Sequence, residues 1–357
     1  MQKTLCEPSV ERGTAQKPGP GIDQYLGDLA NTKGASDLLI TVGRPPQLRV
    51  HNEIVSLNYP VLTPVDTERL CLSIMDEDQK KRFKEEKEID MSLSIRGVGR
   101  YRVNIFRQRG SMAMVVRIVS DQIPTFDDIK LPQTVRVLAE IQRGLLLFTG
   151  PTGTGKSTTV ASIIHQINRS RHCHIVGIED PIEFVHPHIN STVDQREVGT
   201  DTLSFQEALR RVLRQSPDVV VIGEMRDRES AQAAITLAET GHLTLATLHT
   251  RGAIETVNRL IDMFPPEQNM QVRSQLSTSL QAVVWQQLLP RKDGSGLVLA
   301  CEVLRVIPAV QSLIRAGRIH EICSVMQSGR KFGMSTMEQA MGDLVQQGII
   351  DPEAKGR

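Results

Sequence analysis

The stretch of sequence that decides the fold is Gly-Pro-Thr-Gly-Thr-Gly-Lys-Ser, at residues 150–157. It matches the pattern GxxxxGK[ST] at every defined position, which is typical of a loop that wraps around phosphate groups. Glycines let the backbone turn its N–H groups toward an anion, and the positive end of the following helix adds to the attraction. The residues that we expect to contact a nucleotide are Thr152, Gly153, Thr154, Gly155, Lys156, Ser157 and Thr158. Lys156 should reach the β- and γ-phosphates, and the Ser157 hydroxyl should contact Mg²⁺.

The residues on either side of this loop have the patterns of a strand and a helix. Residues 145–148 are a continuous apolar run, and apolar residues recur at helical spacing over 160–167. A strand before the loop and a helix after it form the context that supports the motif. Further apolar strands, at 175–178, 219–222 and 243–247, alternate with helical stripes. The alternation predicts an α/β fold with a largely parallel sheet covered on both faces.

Acidic residues follow two of these predicted strands. Residues 179–183 read Glu-Asp-Pro-Ile-Glu, and residues 223–227 read Gly-Glu-Met-Arg-Asp. Because parallel α/β sheets bind ligands at the carboxyl ends of their strands, both clusters are expected beside the phosphate loop. The usual aspartate of a magnesium-binding strand is replaced by Gly223, so Glu224 should contact Mg²⁺ with the first cluster or through water. One such carboxylate is as often a helix cap, but two clusters beside one loop favour catalysis.

Two histidines bracket the strand predicted at 243–247. His242 precedes it and His249 follows it. Either side chain could sense the γ-phosphate or bridge to the acidic residues, and each could equally be a structural histidine.

Composition narrows the class of protein. Of the 357 residues, 39% are hydrophobic and 23% are charged, and the formal net charge is +1. This is a globular balance and not that of a nucleic-acid-binding polycation. No apolar run approaches the roughly 18–20 residues of a membrane-spanning helix, and the first residues have no secretory apolar core. The five cysteines are widely spaced, which argues against a zinc site or a disulfide framework.

The patterns divide the chain into four parts. Residues 1–21 are polar and rich in proline and glycine, and we expect a mobile tail there. Residues 22–119 mix helical and strand patterns, as in a small α+β domain. Residues 120–131 are interpreted as a linker, and residues 132–357 as the nucleotide-binding domain. Its last 70 or so residues are predicted to be mainly helical from their apolar spacing.

Four segments resemble motifs of the secretion and type IV pilus ATPases. They are GPTGTGKSTT (150–159) for the Walker A motif, IEDPIEFVH (178–186) for the Asp box, PDVVVIGEMRD (217–227) for an atypical Walker B motif and TGHLTLATLHT (240–250) for the His box. The resemblance runs from about residue 34 to the end of the sequence. It implies a RecA-like P-loop ATPase core that uses ATP and Mg²⁺, preceded by a small PAS-like domain.

Within that family, the chain resembles the PilT-type pilus retraction ATPases. It has one small N-terminal domain, lacks a four-cysteine insertion and contains the similar segment FGMSTMEQ at 332–339. It departs from their pattern at 309–316, where AIRNLIRE reads AVQSLIRA, and at 35–40, where ASDLHL reads ASDLLI. The first departure leaves open whether the chain drives retraction or acts as an accessory or assembly ATPase.

The resemblance assigns roles to further residues. It implies that Glu183 orients or deprotonates the attacking water while Glu224 holds the magnesium shell, although these roles could be exchanged. It implies a homo-hexamer in which a neighbouring N-terminal domain supplies arginines to the γ-phosphate. We favour Arg102 and Arg109, which lie with Arg107 on a strand predicted at 101–109. Surface ion pairing is the alternative for each of them.

The implied setting is the cytoplasmic side of the inner membrane at the base of a pilus. The partners would be an inner-membrane platform protein and a paralogous retraction ATPase, with no nucleic acid. Two other functions compete with this interpretation: a RecA-like motor acting on nucleic acid, which the low aromatic content of 3% disfavours, and a nucleotide-binding module without turnover.

Overall fold

The computed structural model describes residues 19–95 and 98–354. Most of the predicted mobile tail, with Cys6, lies outside the described residues, as do residues 96–97 of a predicted turn. The chain divides after Val119 into two compact units.

The first unit is built on one antiparallel sheet. Its described helices and strands are, in chain order, α1 (Ile22–Asn31), β1 (Ala35–Ile40), β2 (Gln47–Val50), β3 (Glu53–Ser56), α2 (Pro64–Ser73), α3 (Glu77–Glu86), β4 (Glu88–Ile95), β5 (Gly99–Gln108) and β6 (Ser111–Val119). The strands lie in the order β3-β2-β1-β6-β5-β4. Alternate residues of β5, among them Tyr101 and Ile105, are buried in the core, and the Tyr101 hydroxyl donates to the Leu26 carbonyl of α1 at 3.1 Å.

The strand that carries the predicted arginines is shorter than expected. It ends at Gln108, and Arg109 lies in the following turn with φ of +48°. Arg109 therefore does not share a strand face with Arg107, because the alternation of side chains ends where the strand ends. Arg107 instead stacks over Phe83 of α3, at 5.8 Å from the ring centroid. Arg102 lies within β5, directly opposite Arg117 of β6.

The second unit contains a seven-stranded sheet. Its described elements are α4 (Gln133–Arg136), β7 (Gly144–Thr149), α5 (Lys156–Ser170), β8 (His174–Glu179), β9 (Thr192–Glu197), α6 (Phe205–Val212), β10 (Val219–Ile222), α7 (Arg228–Glu239), β11 (Leu243–Leu248), α8 (Ala253–Asp262), α9 (Asn269–Ser279), β12 (Leu280–Pro290), β13 (Leu297–Arg305), α10 (Pro308–Ala316), α11 (Ile322–Ser328) and α12 (Met337–Gln346). The order is β13-β12-β7-β11-β10-β8-β9, and every pairing is parallel except that of β12 with β13.

Helices cover both faces of this sheet, as the sequence predicts. In β7, Leu145 and Leu147 pack into one apolar cluster while Leu146 and Phe148 pack into the other. All four side chains are fully buried. A strand buried on both faces has a continuous apolar sequence, which explains why the run at 145–148 lacks alternation.

Residues 120–131, interpreted from the sequence as a linker, are attached to the second unit. Leu131 is buried in the cluster that contains α5, and the Ser162 hydroxyl of that helix donates to the Pro124 carbonyl at 2.7 Å. The Val185 amide donates to the Ser120 carbonyl at 3.1 Å.

The prediction of a mainly helical C-terminal part is wrong for the segment that forms β13. The strands β12 and β13 form a long antiparallel hairpin that extends the sheet beyond β7. The helical prediction fails because residues 297–305 are nearly all apolar, and such a run does not distinguish a buried strand from a buried helix. No helix in 19–95 or 98–354 combines the length and the apolar character that crossing a bilayer requires.

The turn from β7 into the phosphate loop depends on a close backbone contact. Gly150 has φ of +143°, and a Cβ atom there would lie 2.6 Å from the carbonyl oxygen of Gln286 on β12. Gly153, further along the loop, has φ of +80° and open space around the same position. Gly150 is therefore required for packing, whereas Gly153 is favoured only by its left-handed backbone.

This contrast predicts different costs for two alanine substitutions. Gly150→Ala should lower the free energy of unfolding by more than about 2 kcal/mol because backbone atoms must move, and Gly153→Ala by about 1 kcal/mol. Urea unfolding followed by fluorescence of Trp285, the single tryptophan of the chain, reports on the β12 neighbourhood directly. Equal midpoints for the two variants would contradict the packing argument.

Candidate active site

Four parallel strands end at one edge of the second sheet, and most of the predicted site residues lie there. The phosphate loop follows β7, the two acidic clusters follow β8 and β10, and His249 follows β11. They surround a cavity of about 790 Å³. Its lining includes the predicted residues Thr152, Gly153, Gly155, Lys156, Ser157, Thr158, Glu183, Glu224 and His249.

The phosphate loop presents its backbone to this cavity. The helix α5 begins at Lys156 after Gly155, and no described side chain caps its first N–H groups. The positive end of the helix therefore remains available to an anion. Thr154 does not line the cavity, because its buried hydroxyl donates to the Pro151 carbonyl at 2.9 Å.

Lys156 is the buried cation of the site. Its ammonium group donates to the carbonyls of Gly150 and Pro151, both at 2.8 Å, and the residue is 8% exposed. Burial lowers the pKa of Lys156, while the charges of Glu224 and Glu183 act in the opposite direction. Both predicted catalytic carboxylates are thus within electrostatic reach of the lysine.

Glu224 is a carboxylate that contacts Arg226 and His249. Burial raises its pKa, but the hydrogen bond from Arg226 and the charges of His249, Arg226 and Lys156 outweigh this and leave the pKa below its ordinary value. Arg226 donates to one carboxylate oxygen at 2.8 Å, and His249 Nε2 lies 3.3 Å from the other. Arg226, which the sequence analysis did not select, therefore belongs to the site.

The glycine that precedes Glu224 has a steric explanation. A Cβ atom at Gly223 would lie 3.2 Å from Cα of Glu179 and 3.3 Å from the Ile178 carbonyl oxygen. The close approach of β8 and β10 therefore disfavours a side chain at this position. The carboxylate of this segment is that of the next residue, Glu224.

The loop that carries Glu183 is fastened to the edge strand β9. On one side of Glu183, the Ile182 amide donates to Glu197 at 2.9 Å. On the other side, Gln195 Nε2 donates to the Phe184 carbonyl at 2.8 Å. Both anchoring residues lie on β9 on the same face as Val193, which is buried in the core. This arrangement fixes the backbone on both sides of Glu183.

Glu179, the last residue of β8, is a further acidic residue of this cluster, to which the sequence alone assigned no role. It lines the cavity and accepts a hydrogen bond from Gln195 Nε2 at 2.9 Å. Burial raises the pKa of Glu179 to about 7, an effect that Gln195 opposes and the Glu183 charge reinforces. Its position in the acidic cluster was visible in the sequence, but its burial was not.

The two predicted histidines are at opposite ends of β11. His249 follows the strand and lines the cavity. His242 precedes the strand, and its ring nitrogen Nδ1 lies 3.1 Å from the Leu237 carbonyl oxygen and 3.0 Å from the Thr240 hydroxyl. A six-residue strand spans roughly 20 Å, so this chain does not bring His242 to the phosphate loop. Arg102 and Arg109 belong to the first unit, on β5 and in the turn after it.

A second cavity adjoins the phosphate loop. It has a volume of about 380 Å³ and shares Gly155, Thr158 and Leu288 with the first. Its other walls include the apolar side chains of Ile129 and Leu297 and the charged side chains of Asp128 and Arg291. A compartment with both apolar and polar walls beside a phosphate site has the chemistry of a pocket for a flat base with polar edges.

The family model for the type II/IV secretion system protein matches residues 53–349. Two relatives come from Pseudomonas aeruginosa. The one named "Type IV pilus ATPase PilU" is 44% identical over 321 residues, covering 90% of this chain and 84% of the relative. The one named "Type IV pilus retractation ATPase PilT" is 42% identical over 321 residues, covering 90% and 93%.

A solved structure supports the same assignment. The crystal structure of the pilus retraction motor PilT with bound ADP matches this chain with a TM-score of 0.84 and 46% sequence identity, covering 93% of this chain and 94% of that one. The α/β core and the order of the four motifs agree with these relationships. The chain therefore belongs to the type II/IV secretion system protein family, and within it to the PilT-like type IV pilus ATPases.

Proposed function

We propose that this protein is a motor ATPase that couples hydrolysis of MgATP to retraction of type IV pili. The observation that carries the proposal is the convergence of Glu183 and Glu224, from loops after two different strands, on the charge of Lys156. The relatives named as pilus ATPases, and the ADP bound in the related motor structure, support the nucleotide and the process.

The two adjoining cavities suggest how the nucleotide binds. Its phosphates would lie on the backbone amides of the loop and at the start of α5, with Lys156 turning from its own loop carbonyls to the phosphate oxygens. Its base would lie in the smaller cavity, against Ile129 and Leu288. Thr158 lines both cavities and marks the passage between them.

The residues beside Lys156 fit a magnesium ion that is held mainly by its substrate. Ser157 and Glu224 offer a hydroxyl and a carboxylate, the oxygen ligands that Mg²⁺ prefers. Within residues 19–95 and 98–354, no group of three or more His, Cys, Asp and Glu side chains could hold a metal alone. Bound Mg²⁺ neutralises charge on the phosphate oxygens, which would complete its coordination with water.

The surroundings of the two glutamates favour different roles. Glu224 contacts Arg226 and His249, and these contacts stabilise its negative charge. A carboxylate that stays ionised suits the magnesium shell. Glu183 lies on a loop anchored at both neighbouring residues, which suits a group that must orient or deprotonate a water molecule. His249, whose Nε2 lies 3.3 Å from Glu224, would transmit the state of the γ-phosphate to it. Arg226 adds a positive charge at the mouth of the cavity.

The motor would act as a homo-hexamer at the cytoplasmic face of the inner membrane. A neighbouring first unit would supply Arg102, and Arg109 from its turn, to the γ-phosphate, because an arginine from outside the loop stabilises transition-state charge. The force would reach the pilus through an inner-membrane platform protein. The names of the relatives support the pilus system but not these particular contacts.

An accessory role is the second candidate. The segment AVQSLIRA at 309–316, all of which lies in α10, lacks the first arginine, the asparagine and the glutamate of the retraction pattern. The similarity to PilU is as strong as that to PilT. Such an ATPase would need a paralogue to retract pili.

Expression in a retraction-deficient strain tests this choice. We expect the wild-type protein alone to restore surface twitching, and Lys156→Ala to fail because the phosphate loop loses its cation. Twitching that returns only when a second retraction ATPase is present would establish the accessory role. Failure in both strains would contradict a function in retraction.

Amide substitutions of the two glutamates should separate binding from hydrolysis. Glu183→Gln and Glu224→Gln should each lower kcat for phosphate release by at least about 100-fold, since each removes a charge or base used in the reaction, while a fluorescent ATP analogue still binds. Glu239→Gln is the matched control, because Glu239 is exposed at the far end of α7. A variant that hydrolyses ATP at the wild-type rate would remove its residue from the scheme.

Glu179 predicts a pH dependence of stability. Its folded-state pKa of about 7 is above the ordinary value of 4.5, so it contributes stability that is present below about pH 4.5 and lost as the pH rises through 7. Glu179→Gln retains an oxygen for Gln195 but cannot ionise. Relative to wild type, its free energy of unfolding should therefore increase between pH 5 and pH 8, by on the order of 2 kcal/mol. Urea titrations at each pH measure this difference, and a constant difference would contradict the raised pKa.

A further inference from the structure

Buried hydroxyl groups lie beneath the loop that carries His249. This loop, residues 249–252, joins β11 to α8. Thr250 in the loop and Thr256 in the first turns of α8 are buried, and their hydroxyl oxygens are 2.6 Å apart. Thr149, the last residue of β7 before the phosphate loop, is fully buried and its hydroxyl lies 3.4 Å from that of Thr256.

The direction of these hydrogen bonds follows from the number of protons. A hydroxyl has one hydrogen to donate and two lone pairs. The Gly252 carbonyl can only accept, and it lies 2.7 Å from the Thr256 hydroxyl. Thr256 therefore donates to Gly252, and Thr250 donates to Thr256. The Thr256 hydroxyl thus binds both Thr250 and Gly252, and it holds the His249 loop against the first turn of α8.

A carboxylate fastens the same loop from the other side. Glu302 of β13 accepts a hydrogen bond from the Ala253 amide, the first of α8, at 2.7 Å. Its second oxygen accepts from the Met337 amide, the first of α12, at 3.2 Å. One carboxylate therefore holds the positive ends of two helices, an arrangement that favours a negative charge at this point. The end of the His249 loop is fixed relative to both β13 and α12.

We propose that Thr256 is a positioning residue for ATP hydrolysis, acting through His249. The Thr256 hydroxyl donates to the Gly252 carbonyl at the start of α8 and accepts from Thr250 in the His249 loop, and it lies 3.4 Å from the Thr149 hydroxyl at the end of β7. It thereby sets the position of His249 Nε2, which lies 3.3 Å from Glu224. The inference rests on the proposed function, because it assigns Thr256 to the same hydrolytic site.

Replacing the hydroxyl without changing the shape tests this role. Thr256→Val should lower kcat for ATP hydrolysis by about tenfold or more, because small displacements of a catalytic group are costly. The KM for ATP should stay within about twofold, since the phosphate loop and base pocket are unchanged. Thr256→Ser restores the hydroxyl and should recover kcat to within about twofold of wild type.

The chain offers a matched control in Thr244. This residue of β11 is also fully buried, but its hydroxyl has no hydrogen-bond partner among the described residues. Thr244→Val makes the same chemical change without breaking a hydrogen bond, and it should leave kcat and KM unchanged. A loss of kcat in both valine variants would show a general packing effect and contradict the proposal.

A double substitution identifies the route. If Thr256 acts through His249, adding Thr256→Val to a His249→Ala protein should cause no further loss of kcat. If the two residues act independently, the fold-losses of kcat from the two substitutions should multiply. Thermal unfolding and nucleotide-binding stoichiometry show whether each variant is folded. Full activity of Thr256→Val in an active wild-type background would overturn this inference alone. A wild-type protein that binds but does not hydrolyse ATP would instead overturn the proposed function.

Discussion

The buried ammonium group of Lys156 is the constraint on which the site depends. A buried charge is tolerated only when it is paired or hydrogen-bonded, and Lys156 meets this condition through two loop carbonyls and the fields of Glu183 and Glu224. The loop needs the tight turn at Gly150, the acids need strands that end at the same edge, and the acidic loop needs its anchors on β9. The arrangement that suits a triphosphate is therefore the same arrangement that compensates the buried charge of Lys156.

The alternation of strands and helices in the second unit could be predicted from the sequence because parallel strands buried on both faces are continuous apolar runs. The same property concealed β13, whose apolar run was taken for helix. The short strands β3 and β9 were missed for other reasons. β3 (EIVS) is only four residues long and exposed throughout. β9 (TVDQRE) is largely polar and lacks the apolar content that marks a strand.

The predicted residues lie together where a motif fixed both the residue type and the strand end. The predicted phosphate-loop residues except Thr154 line one cavity with Glu183, Glu224 and His249. His242 lies apart from them, because two histidines close in sequence are separated by the full length of a strand. Sequence patterns did not indicate Gln195, an ordinary amide whose contacts depend on the pairing of β9 with β8.

The edge strand β9 has an evolutionary consequence. Its inward face carries the core residue Val193 and the two anchors of the acidic loop, Gln195 and Glu197, at a period of two. A single inserted residue would turn both anchors away together, although the polar strand could still pair at the border of the sheet. Insertions in β9 would thus give proteins that fold but do not turn over ATP. Natural selection on turnover should therefore preserve the length of β9 more strictly than the polar composition of the strand suggests.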